Sequence, residues 1–191
     1  MLCFLQSLLA VAVFLFSASA ARAEAQTIEL GGGVRIDVPE GWRVEQTSPG
    51  GQNDTVPTVT IWKPAGDTED KDAAVALVTV SKVAANPEEM RRMRSEQTLS
   101  PQAKAQAIAE LRTHIRWDIV DTVYTDLVQG GFTVYHSSAF GKNNGVYVEM
   151  EQYLFPREAA LSRLTHSRPT LIDQETLHEL RAIVESFAPG E

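Results

Sequence analysis

The sequence predicts a single α+β domain, a twisted antiparallel sheet of about five to seven strands with helices packed against it. Several segments alternate apolar and polar residues with period two and are separated by glycine turns. Two Asx/Ser-Pro helix starts and a closing apolar stripe mark the helices, and no linker, internal repeat or low-complexity tract divides the chain.

The first strands lie over 27–38, where Ile28, Leu30, Val34, Ile36 and Val38 alternate with polar residues around Gly31-Gly-Gly33. The triple glycine is not a phosphate cradle, because neither Gly-Lys-Ser/Thr nor a helix pattern follows it. Pro39-Glu-Gly41 turns the chain, and Trp42 is expected to pack back onto the sheet. Ser48-Pro-Gly-Gly-Gln-Asn-Asp54 reads as a loop, 58–62 as a strand, 64–72 as an acidic loop and 73–83 as a valine-rich strand. Asn86-Pro-Glu-Glu89 then supplies an N-cap, a first-turn proline and a reciprocal carboxylate, predicting a helix to about Gln97. Ser100-Pro101 opens a second helix to about His114, with Ile108, Leu111 and Ile115 on one face. Strands are expected over 119–128, 132–140 and 146–155, joined by Gly130-Gly131 and by Gly141-Lys-Asn-Asn-Gly145. A weaker strand covers 161–165. A helix from about Asp173 carries Leu177, Leu180, Val184 and Phe187 on one stripe and stops at Pro189-Gly190.

An apolar run over residues 2–16 leads into Ser17-Ala-Ser-Ala-Ala-Arg-Ala23, the layout of a secretory signal with small-residue cleavage sites. The run is shorter than the roughly 20 residues a membrane-spanning helix needs. Cleavage after Ala23 is therefore expected, with Ala20 or Ala25 as alternatives, leaving residues 24–191 as the mature domain in the periplasm or outside the cell. The segment before the run has no Lys or Arg, so an uncleaved anchor is the competing reading. Cys3, the only cysteine, precedes the run and so cannot be a lipidated residue at the cut. Without disulfides the mature chain must rely on burial, and a domain of this size buries about 70% of its unfolded surface.

Loss of residues 1–23 removes one charged side chain, Arg22, and takes the formal charge from −8 to −9. Such a field repels phosphate backbones and anionic lipid, which argues against nucleic-acid and peripheral membrane partners. Arg91, Arg92 and Arg94 sit among Glu88, Glu89 and Glu96 at helical pairing distances, as a solvated helix face does. Asp67, Glu69, Asp70 and Asp72 lack the glycine and distant glutamate of a calcium loop, and no cofactor or metal motif appears.

A five-residue loop over 141–145 would place Phe140 opposite Val146, His136 opposite Met150, Ser137 opposite Glu149 and Tyr135 opposite Glu151. Tyr135, Tyr147, Glu149, Glu151 and Tyr153 then converge on one polar face. That face suits contact with another envelope or secreted protein, since tyrosine offers an apolar body and a polar tip. The alternative is a small-ligand binder or weak hydrolase in which one of Glu149 and Glu151 has a raised pKa and acts as general acid. A pocket between helix and hairpin with one carboxylate buried would favour that alternative. His136 is expected as a hydrogen-bonded core or edge residue, and His166 and His178 as surface residues. His114 and Asp118 straddle a helix end. Neither Gly-x-Ser-x-Gly nor His-Glu-x-x-His is present, so no catalytic residue is assigned.

The early strand ending in Val38-Pro-Glu-Gly-Trp42, the central helices, the long hairpins and the closing Val184-Glu-Ser-Phe187 together resemble the PsbP-like fold. Its relatives include the photosystem II extrinsic subunit, DcrB-type bacterial envelope proteins and a Ran-binding nuclear transport factor. The resemblance covers about residues 27–188. It implies a twisted antiparallel sheet covered by helices and a role in binding other proteins rather than catalysis, and it carries over no binding residue.

Overall fold

Three consecutive glycines, 31 to 33, all with positive φ, fold strands β1 (Gln26–Gly31) and β2 (Val34–Val38) into an antiparallel hairpin. In β2 every second residue is buried, so Val34, Ile36 and Val38 form one apolar edge of the core. This computed structural model describes residues 25–47, 57–68, 70–115, 118–119, 124–129 and 133–190. The export segment 1–23, the loop 48–54, Glu69 and Gly130-Gly131 lie outside the described residues.

The remaining strands are β3 (Arg43–Thr47), β4 (Thr58–Lys63), β5 (Ala76–Ala84), β6 (Asp118–Ile119), β7 (Tyr124–Gln129), β8 (Thr133–Asn143), β9 (Val146–Pro156), β10 (Ala160–Pro169) and β11 (Ala188–Pro189). Among the described residues the helices are α1 (Pro87–Ser95), α2 (Pro101–His114) and α3 (Gln174–Ser186), with a single 3-10 turn at Lys71–Ala73. The strands form two antiparallel sheets, so the α+β fold stands, while the single sheet of five to seven strands is replaced by a larger arrangement. Among the described residues the main sheet has eight strands in the order β3-β4-β5-β10-β9-β8-β6, with β7 also on β8, and a small sheet has the order β1-β2-β11.

Each helix begins as its sequence dictates. The Asn86 side chain accepts from the backbone N–H groups of Glu88 and Glu89, Ser100 Oγ accepts from Ala103 N, and Asp173 Oδ1 accepts from Thr176 N. The Asp173 carboxyl is held below its ordinary value by that backbone bond.

The core lies between the main sheet and a layer made of the small sheet and α3. Val59, Ile61, Val78, Val80 and Leu164 of the sheet meet Val34, Ile36, Leu180 and Ile183 there, and Trp42 does pack back as expected. Its indole Nε1 donates to Glu179 Oε2 at 2.9 Å, and Lys63 Nζ reaches the same oxygen at 2.8 Å, tying α3 to the sheet edge. The opposite face carries the other helices: Met90 of α1 is buried, and Ile108 and Ile115, in and just after α2, pack on Ala139 and Met150. Among the described residues no helix is long and apolar enough to cross a membrane.

Three elements differ from expectation. β10 is not a weak strand but an interior one, paired along its length with both β5 and β9. Its inward positions include Ser162 and His166, so its sequence lacks a clean apolar alternation although both residues are buried. β3 was not expected, because Arg43, Glu45 and Gln46 leave little apolar signal at an edge that needs little. The strand expected over 119–128 is two short ones, β6 and β7, that share β8 as neighbour.

The β8–β9 hairpin carries the main correction. Asn144 at φ 48° and Gly145 at φ 85° make a two-residue turn of the mirror-image type that matches strand twist, so β8 runs through Gly141 to Asn143. Phe140 therefore faces Glu149 rather than Val146, and His136 faces Tyr153 rather than Met150. The slip is three residues. An odd slip exchanges the faces of one strand relative to the other.

Candidate functional site

With the true register, His136, Ser138 and Phe140 of β8 share a face with Tyr147, Glu149, Glu151 and Tyr153 of β9. On β10, His166 stands across from Glu151 and Arg168 across from Glu149, adding both to the same face. Four of the five residues singled out from sequence, Tyr147, Glu149, Glu151 and Tyr153, thus stay together. Tyr135 does not join them. It points to the opposite face, where its hydroxyl lies 2.7 Å from Glu96 Oε2 and 3.1 Å from the Met93 carbonyl oxygen at the end of α1. Burial first, and then the Glu96 carboxylate, push its phenol pKa well up, so Tyr135 is a neutral pin between β8 and α1.

Glu151 is the centre of the arrangement. Its Oε2 receives the Tyr153 hydroxyl at 2.5 Å and His136 Nε2 at 3.1 Å, with His166 Nε2 at 3.9 Å from the same atom. The three rings form a file: His136 stacks on Tyr153 at 4.6 Å between centroids, and Tyr153 on His166 at 6.2 Å. The hydrogen bond with His136 is the largest influence on the Glu151 carboxyl and, with that of Tyr153, holds its pKa down to about 2 against the opposing effect of burial. An ionised carboxylate only accepts, so His136 Nε2 carries a proton and Tyr153 donates.

His166 is only 9% exposed, not a surface residue. Burial lowers its pKa to about 4 although the Glu151 charge pulls the other way, so its imidazole is neutral at neutral pH. Its Nδ1 is buried without a hydrogen-bond partner among the described residues. His178, by contrast, is exposed on α3 as expected. Glu149 is engaged by the Arg168 guanidinium, which also donates to the Pro169 carbonyl at 3.2 Å.

Helix α3 passes over this end of the sheet without closing on it, leaving a cleft of about 350 Å3. Glu151, Tyr153, His166 and Arg168 line it from the sheet, and Leu177, Leu180, Arg181, Val184 and Glu185 from the helix. Leu180 is buried beneath it, whereas Leu177 and Val184 are half-buried along its wall. The cleft combines an apolar helix wall with a polar floor centred on one ionised, half-buried carboxylate.

That state does not suit Glu151 to the general-acid role considered for one member of the pair Glu149 and Glu151. A general acid must carry a proton at working pH, and Glu151 is shifted the opposite way. Among the described residues no group of three or more His, Cys, Asp or Glu is arranged to hold a metal ion.

Sequence reasoning missed His166, Arg168 and Arg181. The available signals were the Asn144-Gly145 pair, which fixes hairpin register, and the alternation Ser162, Leu164, His166, which continues one face of β10.

No protein-family model matches the chain, and no curated protein does. Solved structures similar to it include a protein of Bacteroides thetaiotaomicron VPI-5482, at TM-score 0.48 and 10% identity over 85% of this chain and 48% of that one. The chain thus spans about half the length of that protein. LpqN of Mycobacterium tuberculosis, described as involved in cell envelope biogenesis, is similar at TM-score 0.38 and 13% identity, covering 86% of this chain and 90% of LpqN.

Proposed function

We propose that the chain is an exported, non-enzymatic protein of the PsbP-like type that binds a small molecule in the cleft between α3 and the main sheet. The observation that carries this reading is the Glu151 carboxylate, ionised and half-buried on the floor of a cleft with an apolar wall. Concave sites with a few convergent polar groups on an apolar lining are where small ligands bind. Export rests on the apolar run over residues 2–16 and the small residues after it.

The test is backbone-amide NMR of residues 24–191 against a library of small polar and amphipathic fragments. Binding should shift the amides of Glu151, Tyr153, His166, Leu177 and Val184 together. Shifts that never gather on these residues would overturn the reading.

A second reading, contact with another protein, is favoured by the end of the β8–β9 hairpin. Tyr147 is 46% and Val146 51% exposed, Phe140 stacks on Tyr147 at 5.6 Å, and Lys142 Nζ lies 5.3 Å from the Tyr147 ring centre. An exposed aromatic anchor of this kind suits a protein partner. Recovery of every envelope partner by Tyr147→Ser at the wild-type level would count against it.

A further inference from the structure

We infer that the cleft, if it is the ligand site just proposed, takes a small zwitterion with an apolar side chain, of which an apolar amino acid is the simplest. Each wall of the cleft carries a charged group with hydrogen-bonding capacity open to a ligand, half-buried Glu151 on the sheet and exposed Arg181 on the helix. Both hydrogen bonds to Glu151 end on Oε2, so Oε1 has no partner among the described residues. A free oxygen on an ionised carboxylate calls for a hydrogen-bond donor, best an ammonium.

On the opposing wall Arg181 has no hydrogen-bond or ion-pair partner among the described residues, although Glu185 lies one turn away. Arg168 is not equivalent to it, being occupied by Glu149 and the Pro169 carbonyl. Among the described residues Glu151 therefore offers one free carboxylate oxygen on the sheet, and Arg181, one turn from the likewise unpartnered Glu185, offers a free guanidinium on the helix. A ligand that carries both opposite charges satisfies both walls at once, whereas a plain amine or acid leaves one of them unmatched.

The remaining surface sets the rest of the ligand. Leu177 and Val184 offer an aliphatic strip, which rewards an apolar side chain. Sugars and nucleobases fit poorly, because they are held by stacking on a free aromatic face and both faces of Tyr153 are covered, by His136 and by His166. A volume of about 350 Å3 compares with about 30 Å3 for each water in the liquid, enough for a molecule of about ten non-hydrogen atoms.

The experiment is calorimetric titration of residues 24–191 with L-leucine, 3-methylbutylamine and 4-methylpentanoate, which share a branched chain but carry both charges, the ammonium alone or the carboxylate alone. L-Leucine is expected to bind at least about tenfold more tightly than either. Arg181→Ala should bring leucine down to the amine, and Glu151→Gln should bring it down to the acid. Amine or acid binding as well as leucine does, or leucine failing where other fragments shift the cleft amides, overturns the ligand class and leaves the cleft reading standing. Absence of every ligand from the cleft overturns both. Unchanged leucine affinity in Arg181→Ala and Glu151→Gln would place the amino acid elsewhere and refute the inference.

Discussion

His166 makes stability depend on pH in a way that can be worked out from its surroundings. In the unfolded chain its imidazole titrates near 6.5, whereas burial in the fold lowers it to about 4. Between those values the unfolded state binds a proton that the folded state refuses, so acidification favours unfolding. The contribution is fully present above pH 6.5 and is lost as the pH falls toward 4. At about 1.4 kcal/mol per pH unit, the loss is about 1.4 kcal/mol by pH 5.5 and about 3 kcal/mol by pH 4. That is a large part of the 5 to 15 kcal/mol typical of a domain. Urea unfolding of wild type and His166→Gln at pH 7.5, 6.5, 5.5 and 4.5 isolates the effect, because the other histidines are common to both. The wild type should fall more steeply, by about 2.5 kcal/mol over the range. Parallel curves for the two proteins, or an imidazole resonance of His166 titrating near 6.5 in the folded state, would refute the reasoning.

Tyr153→Phe removes one of two donors to Glu151, so the Glu151 carboxyl should titrate above its value of about 2, as read by carbon NMR of its side chain. Gly145→Val forces a β-branched residue to φ 85° in the hairpin turn, and should cost about 1 to 2 kcal/mol in thermal unfolding. Glu179→Ala leaves the fully buried Trp42 indole N–H without its acceptor, an expected loss of about 2 kcal/mol in urea unfolding. Gly190→Ala would set a Cβ 2.2 Å from the Gly32 carbonyl oxygen at φ 74°, and should detach β11 from β2, seen as loss of amide-exchange protection at Val34.

The fold class was legible in the sequence because each local signal had a strong physical cause. Asn86-Pro87, Ser100-Pro101 and Asp173 cap helices where expected, and Val34, Ile36 and Val38 alternate into the core. The site was legible only in part, because register and tertiary burial are less local properties. Reading residues 141–145 as one loop instead of ending it in the Asn144-Gly145 turn exchanged the faces of β8 and sent Tyr135 to the wrong side. His166 was missed for a different reason. A histidine after Ser162 and Leu164 looks like a strand leaving the core, and only the closeness of β9 shows that Glu151 waits across from it. Arg181 reads in sequence as any exposed helix charge, and the cleft beneath α3 alone gives it meaning.

The central claim, a small-molecule site between α3 and the sheet, is tested most directly by filling the cleft. Leu177 lines its wall half-buried, so Leu177→Trp occupies ligand space while the buried residues Leu180 and Ile183 keep their own side chains. The measurement is the affinity, for wild type and Leu177→Trp, of the fragment that most strongly shifts the cleft amides. Binding to Leu177→Trp is expected to be weaker about tenfold or more, a change of at least about 1.4 kcal/mol, with the remaining amide spectrum unchanged. Equal affinity in a folded Leu177→Trp protein would contradict it.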